Sequence, residues 1–276
     1  MSGGSDFKIE RHFFRAMRML GQIIDIDLTT ETWKLAEYPE DLARKYLGGR
    51  GFNMHVLYHQ LPANINPLGP ENLLIISCGL LTGTAAPSSA RLHINALSPL
   101  TGILGSSNVG GNFGPRLRSN GIQSVILRGK STQPVYLWID GDAIEIRSAK
   151  SLWGLDTWQT EDRLKANPGG DKISVLAIGP GGENGALFGC IMSDRDHAAG
   201  RTGMGTVMGS KNVKAIVVKK QRQKVPSASD GKLNATVQRY LGQIKTSPHY
   251  AGISKYGGAS YVKWADDLGI LATRNY

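Results

Sequence analysis

A chain of 276 residues, 41% hydrophobic and 20% charged, has the make-up of an ordinary globular protein and the length for one large domain or two small ones with buried cores. Its net charge of +10 suits an anionic cofactor or an acidic partner, whereas scattered basic residues without RNP-like, zinc-finger or helix-turn-helix patterns argue against nucleic acid. Two cysteines in apolar surroundings, Cys78 and Cys190, exclude a disulfide framework, and no stretch has signal-peptide or transmembrane length, so a cytoplasmic protein with buried free thiols and no membrane span is expected.

Residues 1–20 form an N-terminal extension, in which MSGGS precedes KIERHFFRAMRML. It reads either as a short amphipathic helix on a partner or as an unstructured leader. A first domain is expected over 21–219. Ile24, Ile26 and Leu28 alternate, and the turn TTET leads to residues 33–37, which predicts a β-hairpin with one buried face. Helices are predicted over 39–47 and 52–60, separated by Gly48 and Gly49. A loop over 64–71 and a buried strand over 73–77 follow. Strands over 91–97 and 102–106 lie among Gly-, Ser- and Pro-rich loops, and Gly110–Gly111 open a helix running towards Ser119. Next come a strand over 124–127, a hairpin over 134–146 turning at Asp140-Gly141-Asp142, and a helix over 157–166. Strands over 172–178, 186–192 and 214–219 complete the domain, and Glu183 and Asn184 read as turn chemistry. Residues 220–231, polar and Ser-rich, predict a linker. Residues 232–276 then begin a helical second domain, with helical spacing over 233–244 and 261–268. Many strands with short helices between them predict an α+β fold.

Chemistry concentrates in SDRDHAAGRTGMGTVMGSKN, residues 193–212, where Gly200, Gly203, Gly205 and Gly209 surround Arg201 and Lys211 follows. Small residues admit close backbone approach, the two cations suit an anion, and a helix N-terminus adds unpaired N–H groups. A tight strand-to-helix loop whose glycines only relieve crowding is the alternative. Two further Gly-rich patches cover 83–91 and 106–111. Arg91 reads as a phosphate clamp or a surface arginine, Asn108 as a helix cap or a ligand contact, and His197 as a structural histidine. GMGTVMG has one residue too many for GxGxxG, and no nucleophile elbow, HExxH, Walker A loop or EF-hand occurs.

Taken together, YLGGRG (46–51), LTGTAAPSSAR (81–91), SPLTG (98–102), SSNVGGNFG (106–114), IGPGGEN (178–184) and HAAGRTGMGTVMGSKNVKAI (197–216) resemble the aldehyde ferredoxin oxidoreductase family, tungsten enzymes with a bis-pterin cofactor. The resemblance implies two β-sheets forming a base for paired pterins, that is, a tungsten bis-molybdopterin. It places Arg91, Asn108, Gly110, His197, Ala198, Gly200 and Arg201 against the pterins or their phosphates, with His197 at a position that varies in the family. Main-chain carbonyls of Asn108 and Ala198 are implied to hold a magnesium ion bridging the phosphates, and tungsten is held by dithiolene sulfurs. At Gly200 a positive φ and a ligand that a side chain would crowd are expected. Thr202 and Met204 depart from the glycine and smaller aliphatic residue common there. A 4Fe–4S cluster needs about four thiolates, so it is expected only from a later region or a partner, along with the catalytic acid and base. The implied function is the tungstopterin-binding part of an enzyme oxidising aldehydes to carboxylates, or the reverse, with electrons to ferredoxin or an iron–sulfur subunit. The active-site subunit of a class II benzoyl-CoA reductase and a non-catalytic pterin-binding subunit are the alternatives. The remaining C-terminal domains or a second chain would complete the protein, and a homo-oligomer is compatible with it.

Overall fold

Strand side chains alternate with period two, but most strands are covered on both faces, so alternation sorts residues between two cores instead of between core and solvent. Along residues 135–139, Val135, Leu137 and Ile139 enter one buried cluster and Tyr136 and Trp138 another. The computed structural model describes residues 20–166, 170–222, 225 and 230–274. The chain divides into two units, 1–228 and 229–276. Apart from Leu20, the expected N-terminal extension lies outside the described residues, as do residues 223–224 and 226–229 of the expected linker.

In the first unit, β1 (Gln22–Asp27) and β2 (Thr32–Glu37) precede α1 (Glu40–Tyr46), α2 (Gly49–Gln60) and β3 (Leu74–Cys78). The hairpin β4 (Leu92–Leu97) and β5 (Leu104–Val109) leads into α3 (Phe113–Ser119) and β6 (Ile122–Arg128). The hairpin β7 (Val135–Asp140) and β8 (Ala143–Ser148), then α4 (Thr157–Lys165) and β9 (Ile173–Ala177), follow. The unit closes with α5 (Pro180–Glu183), β10 (Ile191–Ser193), β11 (His197–Ala199), α6 (Met204–Ser210) and β12 (Val213–Lys219). Two six-stranded mixed sheets result, ordered β2-β1-β6-β3-β4-β5 and β11-β10-β9-β12-β7-β8. β1 runs parallel to β6 and β12 parallel to β7, while the two hairpins and the β9–β12 pair are antiparallel. The fold is α+β, as its strand content predicts.

Inner faces of both sheets share one cluster, in which Ile26, Leu74, Leu127, Leu137 and Ile216 meet Phe113 and Leu117 of α3 and Met204 and Val207 of α6. Fully burying such side chains stabilises by about 1.5–3 kcal/mol each. Phe52, Val56 and Leu57 of α2 cover the outer face of the first sheet at Ile23, Ile75 and Ile126. Asn53, on the same helix and fully buried, donates from Nδ2 to Asn95 Oδ1 (2.8 Å) and to the carbonyls of Ile75 (3.3 Å) and His93 (3.2 Å). Leu164 of α4 covers the second sheet at Tyr136, Val175 and Val217. α4 starts where Asp156 accepts from the Gln159 N–H (2.7 Å) and the Gln159 side chain accepts from the Asp156 N–H (3.1 Å), a capping box.

Three predicted elements fall elsewhere. The strand expected over 186–192 is confined to Ile191–Ser193, because residues 186–190 fold onto the start of α6: Thr206 Oγ1 donates to the Ala186 carbonyl and accepts from the Gly189 N–H (3.2 Å). Leu187 and Phe188 are left 46% and 71% exposed, and Cys190, expected to be buried, is only half-buried. β5 extends to Val109 instead of ending at 106, which places Asn108 within a strand. The following helix opens at Phe113, not at the Gly110–Gly111 pair, so Asn108 does not cap it.

The second unit contains α7 (Asp230–Thr246), α8 (Tyr250–Tyr256) and α9 (Val262–Asp267), with a 3-10 turn over Gly257–Tyr261. Glycines at 252, 257 and 258 hide α8 from a periodicity reading.

Candidate functional site

The register of the β4–β5 hairpin sets His93 opposite Asn108, and the extra length of β5 carries Asn108 and Gly110 to the end of the first sheet. β11 of the second sheet packs against β5 there. Its register sets His197 opposite Ser193 and Ala198 opposite Met192. Residues distant in sequence thereby share one exposed margin: Arg91, His197, Ala198, Gly200 and Arg201 are exposed, and Asn108 and Gly110 half-buried.

Arg91 Nη1 donates to Asn108 Oδ1, and Asn108 Nδ2 lies 3.0 Å from His93 Nε2. Burial first, then the charges of Arg50 and Arg91, hold His93 below the usual histidine range. His93 Nδ1 is buried without a hydrogen-bond partner among the described residues. The ring of His197 covers the Gly110–Gly111 main chain. A Cβ added at Gly110 would stand 3.2 Å from His197 Cδ2, and one at Gly111 3.2 Å from Nδ1. Wider residues there would displace the histidine.

Two hydroxyls of the hairpin region fix the loop that carries Arg201. Ser107 Oγ donates to the Arg201 carbonyl (2.9 Å) and accepts from its N–H (3.2 Å), and Ser98 Oγ donates to the Thr202 carbonyl (2.8 Å). Both serines are buried, so their bonds are shielded from water. The main chain is thus fixed while the Arg201 guanidinium stands exposed. Gly200 does not adopt the expected positive φ. The left-handed residues are Thr202 (φ 69°) and Gly203 (φ 71°). A Cβ at Gly200 would meet no protein atom within 4 Å, so a side chain there would project into open space beside Arg201. Among the described residues no cluster of three or more His, Cys, Asp or Glu side chains could hold a metal ion. The margin offers guanidinium groups and main chain, a donor set for a phosphate-like anion.

Residues 23–220 match the description "Aldehyde ferredoxin oxidoreductase, N-terminal domain". The chain belongs to the aldehyde ferredoxin oxidoreductase family. Among its relatives, the tungsten-containing aldehyde ferredoxin oxidoreductases of Pyrococcus furiosus and Thermococcus kodakarensis are 39% and 40% identical over 257 residues, 93% of this chain. The chain spans 42% of the length of these curated relatives. Its fold is similar to a chain of the active-site complex BamBC of benzoyl-coenzyme A reductase, solved with 1,5-dienoyl-CoA. There the TM-score is 0.80 at 34% identity, covering 83% of this chain and 35% of that one.

Within this family member, part of the glycine-rich motif serves packing. A Cβ at Gly205 would overlap the Cys190 carbonyl, one at Gly209 would overlap the Gly182 carbonyl, and one at Gly182 would stand 2.8 Å from the Gly205 carbonyl. These glycines let α5 and α6 touch backbone to backbone. Lys211, read as a cation suited to an anion, is instead fully buried and donates to the carbonyls of Gly129 (2.8 Å) and Pro70 (3.3 Å). Burial pulls its pKa down to about 8. Glu183 is not mere turn chemistry: it pairs with buried Lys214, accepts from the Gly154 N–H (2.8 Å), and its side chain is 3% exposed. Lys214 also donates to the Leu155 carbonyl (2.7 Å), and burial lowers its pKa. Arg50, His93, Ser98 and Ser107 are the residues that sequence reasoning passed over. Arg50, Ser98 and Ser107 lie within the quoted motifs YLGGRG, SPLTG and SSNVGG, while His93 falls just after LTGTAAPSSAR.

Proposed function

We propose that this chain is the tungstopterin-binding part of an aldehyde:ferredoxin oxidoreductase-like enzyme, and that the margin between β5 and β11 receives the phosphates of a bis-pterin cofactor. The observation that carries this reading is the convergence of Arg91, Asn108, His197 and Arg201, from three separate stretches of chain, around small residues. The residues present fit the cofactor. Open space above Gly200 admits a ligand, and exposed guanidinium groups match a dianionic phosphate. In this reading Arg91 and Arg201 hold phosphate oxygens, Gly110, Ala198 and Gly200 line the ligand with main chain, and His197 shields one edge. The carbonyls of Asn108 and Ala198 would hold a magnesium ion, a hard cation that takes oxygen ligands. The bound cofactor would supply the two-electron chemistry that interconverts aldehyde and carboxylate.

A four-thiolate cluster would need ligands beyond the two cysteines. Cys78 is fully buried, with its thiol pushed up to about 12 by burial, so it is unsuited to ligation. Ferredoxin or an iron–sulfur subunit would take the electrons. Residues 232–276 would begin a second, helical domain. A cytoplasmic location follows the same reading; the structure itself contains no helix, among the described residues, long and apolar enough to cross a membrane. The likeness to the benzoyl-coenzyme A reductase chain favours a second reading, an active-site subunit of that type. Elemental and pterin analysis of the native full-length protein tests the first: tungsten with about two pterins per chain is expected, and protein free of both would overturn it. Aldehyde-dependent reduction of a low-potential dye, against dienoyl-CoA-dependent reduction, separates the two enzymes.

A further inference from the structure

We infer that His93 is a positioning residue that locks the Asn108 amide and, through it, the Arg91 guanidinium in the orientation used for anion binding. This rests on the phosphate-binding reading of Arg91 given above. Guanidinium groups carry donors and no acceptor. Asn108 must therefore turn Oδ1 towards Arg91, which leaves Nδ2 facing His93 at 3.0 Å. An amide nitrogen only donates, so His93 Nε2 must be the acceptor and the ring proton must sit on Nδ1. That Nδ1 is the buried atom for which the described residues supply no partner. The imidazole thus leaves one N–H unpaired and keeps Nε2 available to Asn108.

The ring is itself confined. A Cβ on Gly49 would come within 3.3 Å of His93 Cδ2, and the His93 carbonyl accepts from Asn53 of α2 (3.2 Å). Asn108 is held across the hairpin register opposite His93. Without an acceptor at position 93 the amide is held by its bond to Arg91 alone, and the exposed guanidinium with its partner is freer to sample other rotamers.

The test uses the full-length protein from tungsten-supplied cells, with tungsten and pterin per chain measured after a fixed dialysis, beside the thermal midpoint. His93→Leu should retain about fivefold less cofactor, the factor that one lost hydrogen bond near 1 kcal/mol converts to. His93→Gln, whose carbonyl oxygen restores an acceptor, should stay near wild type. Arg91→Ala/His93→Leu should lose no more than Arg91→Ala alone. If His93→Leu lowers the thermal midpoint, the more pliable His93→Met replaces it. Wild-type retention by the apolar variant overturns the inference, as does an equal loss in His93→Gln, which marks a packing role only. Wild-type retention in Arg91→Ala would instead remove the phosphate-binding reading, and the inference with it.

Discussion

Glycines of the α5–α6 contact and those of the β5–β11 margin come from the same small set of motifs, yet they work in opposite ways. Gly182, Gly205 and Gly209 are spent on protein: a Cβ at any of them would press on a backbone carbonyl. Gly200 faces nothing, and Gly110 faces only the exposed His197 ring. Cations divide likewise. Lys211 and Lys214 are buried on carbonyls and a carboxylate, whereas Arg91 and Arg201 stand exposed. Glycine and positive charge in a motif therefore identify a site only where the protein has not already used them. What a hypothetical methyl group would meet is the discriminating observation.

This contrast can be broken by substitution. The largest effect is expected for Gly205→Val, which forces a branched side chain into the Cys190 carbonyl. Its cost should exceed the roughly 1–3 kcal/mol of ordinary overpacking, and denaturant unfolding should show little folded protein. Lys214→Ala comes next. It strands the Glu183 carboxylate, whose side chain is 3% exposed, and loss of one partner of a buried pair costs about 3–5 kcal/mol; an unfolding midpoint close to wild type would contradict the burial of that pair. Arg91→Ala should leave folding stability within about 0.5 kcal/mol while lowering bound tungsten several-fold. Gly200 completes the series: Gly200→Ala should leave stability unchanged within about 0.5 kcal/mol, and Gly200→Val should lower cofactor content at an unchanged thermal midpoint. A Gly200→Val protein that is destabilised would place Gly200 with the packing glycines.

Lys211 adds a pH test of the buried class. Its pKa is pulled from 10.5 to about 8 by burial. Between those values the unfolded chain binds more protons than the folded one, so stability should rise as pH increases from 8 towards 10.5. Below pH 8 the charge is carried in both states and the slope vanishes. Lys211→Met, compared with wild type by urea unfolding across this range, should flatten the rise. An identical slope in both proteins would show that Lys211 is not the group responsible.

The β1–β2 hairpin, α1, α2, β3, the β7–β8 hairpin and β9 are all legible in the sequence, because local patterns at period two or 3.6 and turn residues determine them. The family is legible too, from the motifs between Tyr46 and Ile216. What sequence could not show depends on residues far along the chain. An apolar run such as ALFGCIM looks like a strand until Thr206 and Gly205 claim its first half for a turn. Lys211 reads as a ligand for anions until the carbonyls of Pro70 and Gly129 enclose it. Asn108 reads as a helix cap or a ligand contact, and the cap fails because the end of β5 is set by pairing with β4, not by its own propensity. Of the candidate site, the Arg91–Asn108 contact and the seating of His197 on Gly110 are geometric facts of the fold. The supporting histidine and serines were invisible, since nothing local marks a side chain that serves another side chain.

The strand order carries a consequence for synthesis. β12, the last strand of the first unit in sequence, lies in the interior of its sheet between β9 and β7, whereas all strands of the other sheet have left the ribosome by Arg128. At translation rates of about 5–20 residues per second, the interval before Lys219 emerges is on the order of ten seconds. Throughout it the inner face of the completed sheet, with Ile26, Leu74 and Leu127, has no finished partner to cover it. During that window the nascent chain holds an uncovered apolar face of the kind that chaperones bind, and slow codons between positions 128 and 219 would lengthen its exposure.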